Sequence, residues 1–242
     1  TGFTVSKDGK VATANHVLAE ALDELPNGQI RVRYAQSIEV RLSDGEKLQA
    51  TVHPSCLNEK SLDAFFSDYC ILEVKTTKTT EYLTLGSFSD ALEGADIYTC
   101  GFPLGIDQSV VSWGVLSTKW LNEKTLSKTD SSTQQTSVIK REKIDVAWID
   151  LTMNRGNSGG PIMLIGKTPK EDKVIGIASF ILTPLNKQLG QMVGLAQATP
   201  GNVTIMGLDV KQFASLVSES LQSSSVGIAG CVSIDRLREK LK

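Results

Sequence analysis

The chain has 242 residues, and its 25 Lys and Arg stand against 27 Asp and Glu for a formal net charge of -2. That length buries a substantial core in one large domain or two fused small ones. The near-neutral balance, with no basic run to track phosphates, excludes nucleic acid and an anionic membrane surface as partners, and no apolar stretch is long enough to span a bilayer.

Residues 1 to 15 alternate apolar and polar positions about Lys7-Asp8-Gly9-Lys10, an Asp-Gly hairpin signal that delivers His16 at its far end. Thr1 leads straight into Gly2-Phe3-Thr4-Val5 without a targeting segment, as the middle of a structured region would. Val17 to Leu25 carries enough alanine and leucine for a helical turn or two before Pro26-Asn27-Gly28 breaks it. Strands are expected over Ile30 to Tyr34, Ile38 to Leu42 and Leu48 to Val52, and such short, closely spaced strands suggest a barrel or sandwich. A polar loop from Pro54 to Ser67 then gives way at Asp68 to the apolar run Tyr69-Cys70-Ile71-Leu72-Glu73-Val74.

From Lys75 to Gly94 the chain is polar, as a connection between two β units would be. Ile97 to Phe102 reads as a strand, and Val110 to Trp120 as a longer one interrupted at Gly114. Leu121 to Lys143, rich in Ser, Thr, Lys and Gln, is expected to be a mobile surface loop. Strands follow at Val146 to Leu151, Ile162 to Ile165, Val174 to Leu182 and Met192 to Gln197. Asp209 to Leu221 shows helical spacing of Val210, Phe213, Ala214, Val217 and Leu221, with Asp209 as N-cap. Ser223 to Ser225 looks like a linker, and Ile234 to Leu241 like a short terminal helix.

The chemistry centres on Asn154-Arg155-Gly156-Asn157-Ser158-Gly159-Gly160-Pro161. Glycines on both sides of a lone serine let successive amide N–H groups converge beside its hydroxyl, the arrangement of a nucleophile with an oxyanion hole. The bland reading is a glycine-rich turn between strands. A serine nucleophile needs a base, and the chain offers only His16 and His53. Cys56, Cys70, Cys100 and Cys231 form no C-x-x-C pair, so neither a metal nor another cofactor is expected. Cysteines in or beside apolar runs read as buried hydrophobes, and their usage favours a reducing cytoplasm over a periplasm.

Three separated stretches resemble the trypsin-like serine proteases, and among them the HtrA-type branch. They are Thr1 to Val5 running through Asp8-Gly9 to Thr13-Ala14-Asn15-His16-Val17; Asp68-Tyr69-Cys70-Ile71-Leu72; and Gly156 to Pro161 followed by Val174-Ile175-Gly176-Ile177. Their order, His16, Asp68, Ser158, is the family's. Asp63 is a competing acid without a following apolar strand.

The resemblance implies an all-β fold of two antiparallel six-stranded β-barrels with a C-terminal α-helix. The first barrel would span residues 1–76 and carry His16 and Asp68, followed by a connection at 77–95. The second would span 96–206 and carry Ser158, with a helix and tail at 207–242. It implies a serine endopeptidase acting on polypeptide, with His16, Asp68 and Ser158 catalytic and the oxyanion hole at Gly156, Asn157 and Ser158. Substrate would add as a strand along Ile177, Ala178, Ser179 and Phe180, with Thr152 flooring the primary specificity pocket. No acid stands at Thr152, which implies cleavage after small or medium apolar residues.

Arg155 replaces a proline common in HtrA-type proteins and removes a fixed φ before the oxyanion loop, suggesting a loop that can rest in an inactive form. Asn157 replaces the aspartate that pairs with a freed amine in digestive enzymes, so activation by that ion pair is not expected. Two alternatives remain: a latent effector domain awaiting a regulatory domain or partner protein, and a silent peptide-binding barrel.

Overall fold

The structure, a computed structural model of the chain, describes residues 1–42, 44–76, 80–129, 133–181, 204–205, 208–209, 211 and 227–241. The hairpin expected about Asp8-Gly9 is present: β1 (Phe3–Thr4) pairs antiparallel with β2 (Lys10–Thr13), and Gly9 takes the left-handed φ of 84° that such a turn requires. Next come β3 (Ala19–Glu24), β4 (Ile30–Tyr34), β5 (Ile38–Arg41) and β6 (Lys47–Val52).

The helical turns expected over Val17 to Leu25 are instead strand β3, paired with β4 across the Pro26-Asn27-Gly28 turn. Its side chains alternate between half-buried and exposed. Cross-strand pairing has overridden the helix propensity of alanine and leucine.

The supposed polar loop before Asp68 contains helix α1 (Ser61–Phe66), which buries Ser61, Ala64 and Phe66. Strand β7 (Cys70–Val74) follows and lies between β2 and β6. The N-terminal sheet runs β1-β2-β7-β6-β5, with β3 and β4 forming a separate hairpin. Five strands leave an open seam where six would close, and a cavity of about 580 Å³ lies along it, lined by Phe3, Val11, Ile38 and Val40 among others.

The C-terminal half closes fully. Its strands are β8 (Asp96–Gly101), β9 (Val110–Thr129), β10 (Thr136–Asp150), β11 (Pro161–Leu164), β12 (Lys173–Ile181) and, after the pairs β13 (Thr204–Ile205) and β14 (Leu208–Asp209), β15 (Ile228–Ser233). Six of them form a closed barrel in the order β10-β15-β12-β11-β8-β9. Helix α2 (Asp235–Lys240) ends the described chain where a terminal helix was expected. The expected strand at Met192 to Gln197 lies outside the described residues, as does the helix to Leu221 beyond Lys211, whose N–H Asp209 accepts at 2.8 Å.

The stretch Leu121 to Lys143 is not a loop: β9 and β10 continue through it as a two-stranded ribbon, paired from Leu121 with Asp145 to Thr129 with Thr136. Polar residues suit it because one ribbon face meets water, while Asn122, Lys124, Leu126, Lys140 and Glu142 on the other are half-buried.

Two cores result. Ala147, Ile149, Ile162, Ile175 and Cys231 fill the closed barrel. Ile71, Tyr69 and Cys70 of the first half join Ile144, Val146, Ile177 and Val232 of the second in a shared core beneath the cleft.

All four cysteines are free thiols, and Cys100 alone is not fully buried. Burial raises the Cys231 thiol to about 12. A thiol reagent at neutral pH is expected to modify Cys100 first and the others only after unfolding, as followed by mass spectrometry of peptides with and without denaturant.

Candidate active site

His16 stands at the end of β2 in a single helical turn, Asn15–Val17. Asn15 anchors it: fully buried, its Nδ2 donates to Tyr34 Oη at 2.8 Å and to the Tyr69 carbonyl at 3.4 Å. The residue before the histidine is thereby tied to β4 and to the residue after Asp68. This link was missed in the sequence, where an Asn-His pair is its only trace.

Asp68 arrives by a different route. Helix α1 ends with the Asp68 N–H bonded to the Phe65 carbonyl at 3.2 Å and the Tyr69 N–H bonded to the Ala64 carbonyl at 3.0 Å. Asp68 itself takes a left-handed φ of 47°, the helix-ending position usually given to glycine or asparagine. Only 6% exposed, its carboxylate meets three donors: the His16 backbone N–H at 3.0 Å, the His16 ring Nδ1 at 2.9 and 3.0 Å, and the Ser179 hydroxyl. A carboxylate accepts only, so Nδ1 carries a proton, and Nε2 is the ring nitrogen left without a bonded partner among the described residues, on a side chain 46% exposed.

Ser158 lies in the turn between β10 and β11. The Gly159 N–H donates to the Ala178 carbonyl at 2.8 Å, and the Ala178 N–H to the Gly160 carbonyl at 2.9 Å, so the turn is laced to β12. Gly159, at φ 83°, presses against the histidine hairpin: a Cβ there would come within 2.2 Å of Thr13 Oγ1 and 2.8 Å of the Ala14 nitrogen. The serine is thus seated beside the hairpin that carries His16, although among the described residues no hydrogen bond joins the two side chains.

The loop's amides are sorted by their carbonyls. Leu104, at a strained φ of 55°, donates its N–H to the Arg155 carbonyl at 2.7 Å. The C=O and N–H of a trans peptide point oppositely, so the Gly156 N–H is turned away from Leu104. The Gly160 N–H donates to the Asn157 carbonyl at 2.9 Å, which likewise turns the Ser158 N–H the other way, and the Thr1 hydroxyl bonds the Gly156 carbonyl. Among the described residues neither the Gly156 nor the Ser158 N–H donates to a backbone carbonyl. Asn157 differs, since its N–H is spent on the Asn154 carbonyl at 3.1 Å and its side chain is buried. Of the three expected oxyanion donors, Asn157 is therefore set aside.

The remaining sequence candidates also separate. His53 caps a turn, with Nδ1 on the Ser55 hydroxyl at 2.8 Å and the Ser55 N–H at 3.1 Å, and has no place in the cleft. Asp63 pairs with Lys140. Thr152 is exposed beside the buried Met153. Ile177 and Ala178 are buried in β12; Ser179 sits at a register shift between Ala178 and Phe180, which turns its hydroxyl onto Asp68.

A closed C-terminal barrel, a cleft between two β halves, and a serine, a histidine and an aspartate contributed by separate segments define the trypsin-like class. The family model described as trypsin-like peptidase domain matches residues 1–177, and the chain belongs to that family, on its HtrA-type branch. It is 30% identical to "Serine protease HTRA4" of Homo sapiens over 183 residues, 76% of this chain and 30% of that protein. It is likewise 30% identical to "Probable periplasmic serine endoprotease DegP-like" of Pseudomonas fulva (strain 12-X) over 218 residues, 90% of this chain and 36% of that one. The chain thus spans about a third of these relatives' length. Among solved structures, "HtrA-type protease AlgW with decapeptide" has the same fold, with a TM-score of 0.55 at 19% identity, covering 99% of this chain and 49% of that one.

Removing the Asn15 anchor strands the Tyr34 hydroxyl and one Asn15-facing carbonyl. Asn15→Ala is expected to cost about 1–3 kcal/mol, read as a lower midpoint in urea unfolding.

Proposed function

We propose that the chain is a serine endopeptidase that cleaves polypeptides through Ser158, His16 and Asp68. The observation that carries the reading is the Asp68 carboxylate held on His16 Nδ1 at 2.9 Å, which fixes the imidazole tautomer with Nε2 free to act as base. Nε2 takes the Ser158 proton as the hydroxyl oxygen attacks the scissile carbonyl, and the C–O bond forms as the carbonyl π pair moves onto oxygen. The Gly156 and Ser158 N–H groups receive that oxyanion, a contribution of about 3 kcal/mol per donor in comparable sites. Collapse of the tetrahedral intermediate breaks the C–N bond, and the imidazolium returns its proton to the leaving amine. Water, deprotonated by the same nitrogen, then attacks the acyl-serine ester and releases the second product.

Substrate pairs as an extended strand along Ile177 to Phe180, the one β12 stretch that borders both Ser158 and Asp68. The absence of an acid at Thr152 and the buried Met153 beside it support cleavage after small or medium apolar residues. The AlgW protease, which shares this fold, was solved with a decapeptide, and that supports a peptide as the ligand here.

A fluorophosphonate probe is expected to label the protein and to leave Ser158→Ala unlabelled; absence of labelling in both refutes an activated serine. Asp68→Asn should lower kcat about 10,000-fold with KM little changed, because the amide favours the wrong tautomer. In a peptide library, cleavage is expected after small or medium apolar residues, and a profile dominated by Lys or Arg rejects that specificity.

A further inference from the structure

The β9–β10 ribbon leaves the closed barrel and lies along the N-terminal half. Lys128 on its outer end pairs with Glu24 of β3 at 2.5 Å. Nearer the barrel, Lys140 pairs with Asp63 of α1, and its ammonium stands 5.5 Å from the centre of the Phe66 ring. Glu142 lies 3.7 Å from that ammonium and is itself held by Arg236 of α2 at 2.6 Å. Lys124, directly across the ribbon from Glu142, is half-buried; burial pulls its ammonium below the usual lysine range and the Asp68 carboxylate pulls it back up. The ribbon's inward face therefore bears on residues 63 to 68 of the other half.

Helix α1 is only six residues long, too short to hold its own position in water. Two polar anchors fix it: the Ser61 hydroxyl accepts the Val32 N–H at 3.0 Å at its start, and Asp63 is clamped by Lys140 within the same first turn. Asp68 hangs from the other end through the Phe65 and Ala64 carbonyls, in a left-handed conformation that is unfavourable for aspartate unless its surroundings enforce it.

We propose that the ribbon is a brace for the active site, with Lys140 a positioning residue that, through Asp63 and Phe66 of α1, holds Asp68 on His16. The inference rests on the reading of Asp68 and His16 as the acid–base pair. An ordinary exposed ion pair would matter little to stability, and none is expected to affect turnover at a distance. This one differs because the helix it clamps ends on the carboxylate that orients the base.

The test compares Lys140→Met, which keeps the apolar stem, with Lys140→Arg, which keeps the charge, and with Asp63→Asn and the double variant. Two quantities are read: kcat and KM on a peptide the wild type cleaves, and the downfield proton resonance of His16 Nδ1–H, assigned by its loss in His16→Ala. Lys140→Met and Asp63→Asn are each expected to shift or broaden that resonance and to lower kcat about tenfold with KM within about twofold, since small misplacements of an orienting group are costly. The double variant should be no worse than either single one, and Lys140→Arg should retain the wild-type signal. An unchanged resonance in both single variants overturns the brace, whatever happens to turnover or unfolding midpoint. If the wild type fails to cleave peptides, the resonance still decides the matter, so failure of the brace and failure of the protease reading remain distinct.

Discussion

A buried carboxylate has to be satisfied, and Asp68 is the point at which this chain meets that demand. Left alone in a cleft at 6% exposure, its charge would cost several kcal/mol. It is met instead by the backbone and ring of His16 from β2 and by the hydroxyl of Ser179 from β12. Those donors belong to different β halves. The electrostatic need of one side chain therefore fixes the base, draws the closed barrel against the open sheet, and sets β12 where a substrate strand would run. The apolar core shared by Tyr69, Ile71, Ile144, Val146 and Val232 supplies the broad attraction, but a hydrophobic contact has no direction. The carboxylate supplies the register.

The oxyanion loop solves a different problem with different means. With arginine at position 155 there is no pyrrolidine ring to fix the backbone ahead of Gly156. Orientation comes from other hydrogen bonds instead: Leu104 captures the Arg155 carbonyl, and the Gly160 N–H captures the Asn157 carbonyl. Each captured carbonyl turns the N–H of the following residue the other way, which orients the Gly156 and Ser158 N–H groups. The strain at Leu104 is the sign that the surrounding chain imposes this arrangement and local preference does not. The expectation of a looser loop rested on the lost ring alone; the tie from Leu104, about 50 positions away, is not visible in the local sequence.

What could be read directly was whatever has local grammar. Asp8-Gly9 specified a hairpin, the apolar run after Asp68 specified a strand, and the glycines about Ser158 specified a turn no other residues would allow. What could not be read was decided by partners. Ala19 to Glu24 has the composition of a helix, but β4 lies beside it and offers a ladder. The polar run from Leu121 to Lys143 has the composition of a loop, but each half is the other's partner, and its alternating half-buried side chains find α1. Ser179 was expected to line a substrate strand; that its hydroxyl turns to Asp68 depends on a register shift that no local pattern announces. In the candidate site, the residues could be named from the sequence, but the contacts that orient them could not.

The residues about Ser158 are held from several sides. His16 and Asp68 hang from the hairpin, α1 and β7, whereas the Gly156 and Ser158 amides are set by the Leu104 and Gly160 N–H groups. They meet beside Ser158, where Gly159 presses on Thr13 and Ala14. The His16 ring is held on Asp68, while among the described residues no hydrogen bond joins the Ser158 hydroxyl to it. Such a bond commonly tightens only when substrate fills the cleft, and here the substrate strand would lie on β12, the element that touches both groups through Ser179 and Ala178. A peptide laid along β12, as proposed, would touch both groups through one strand.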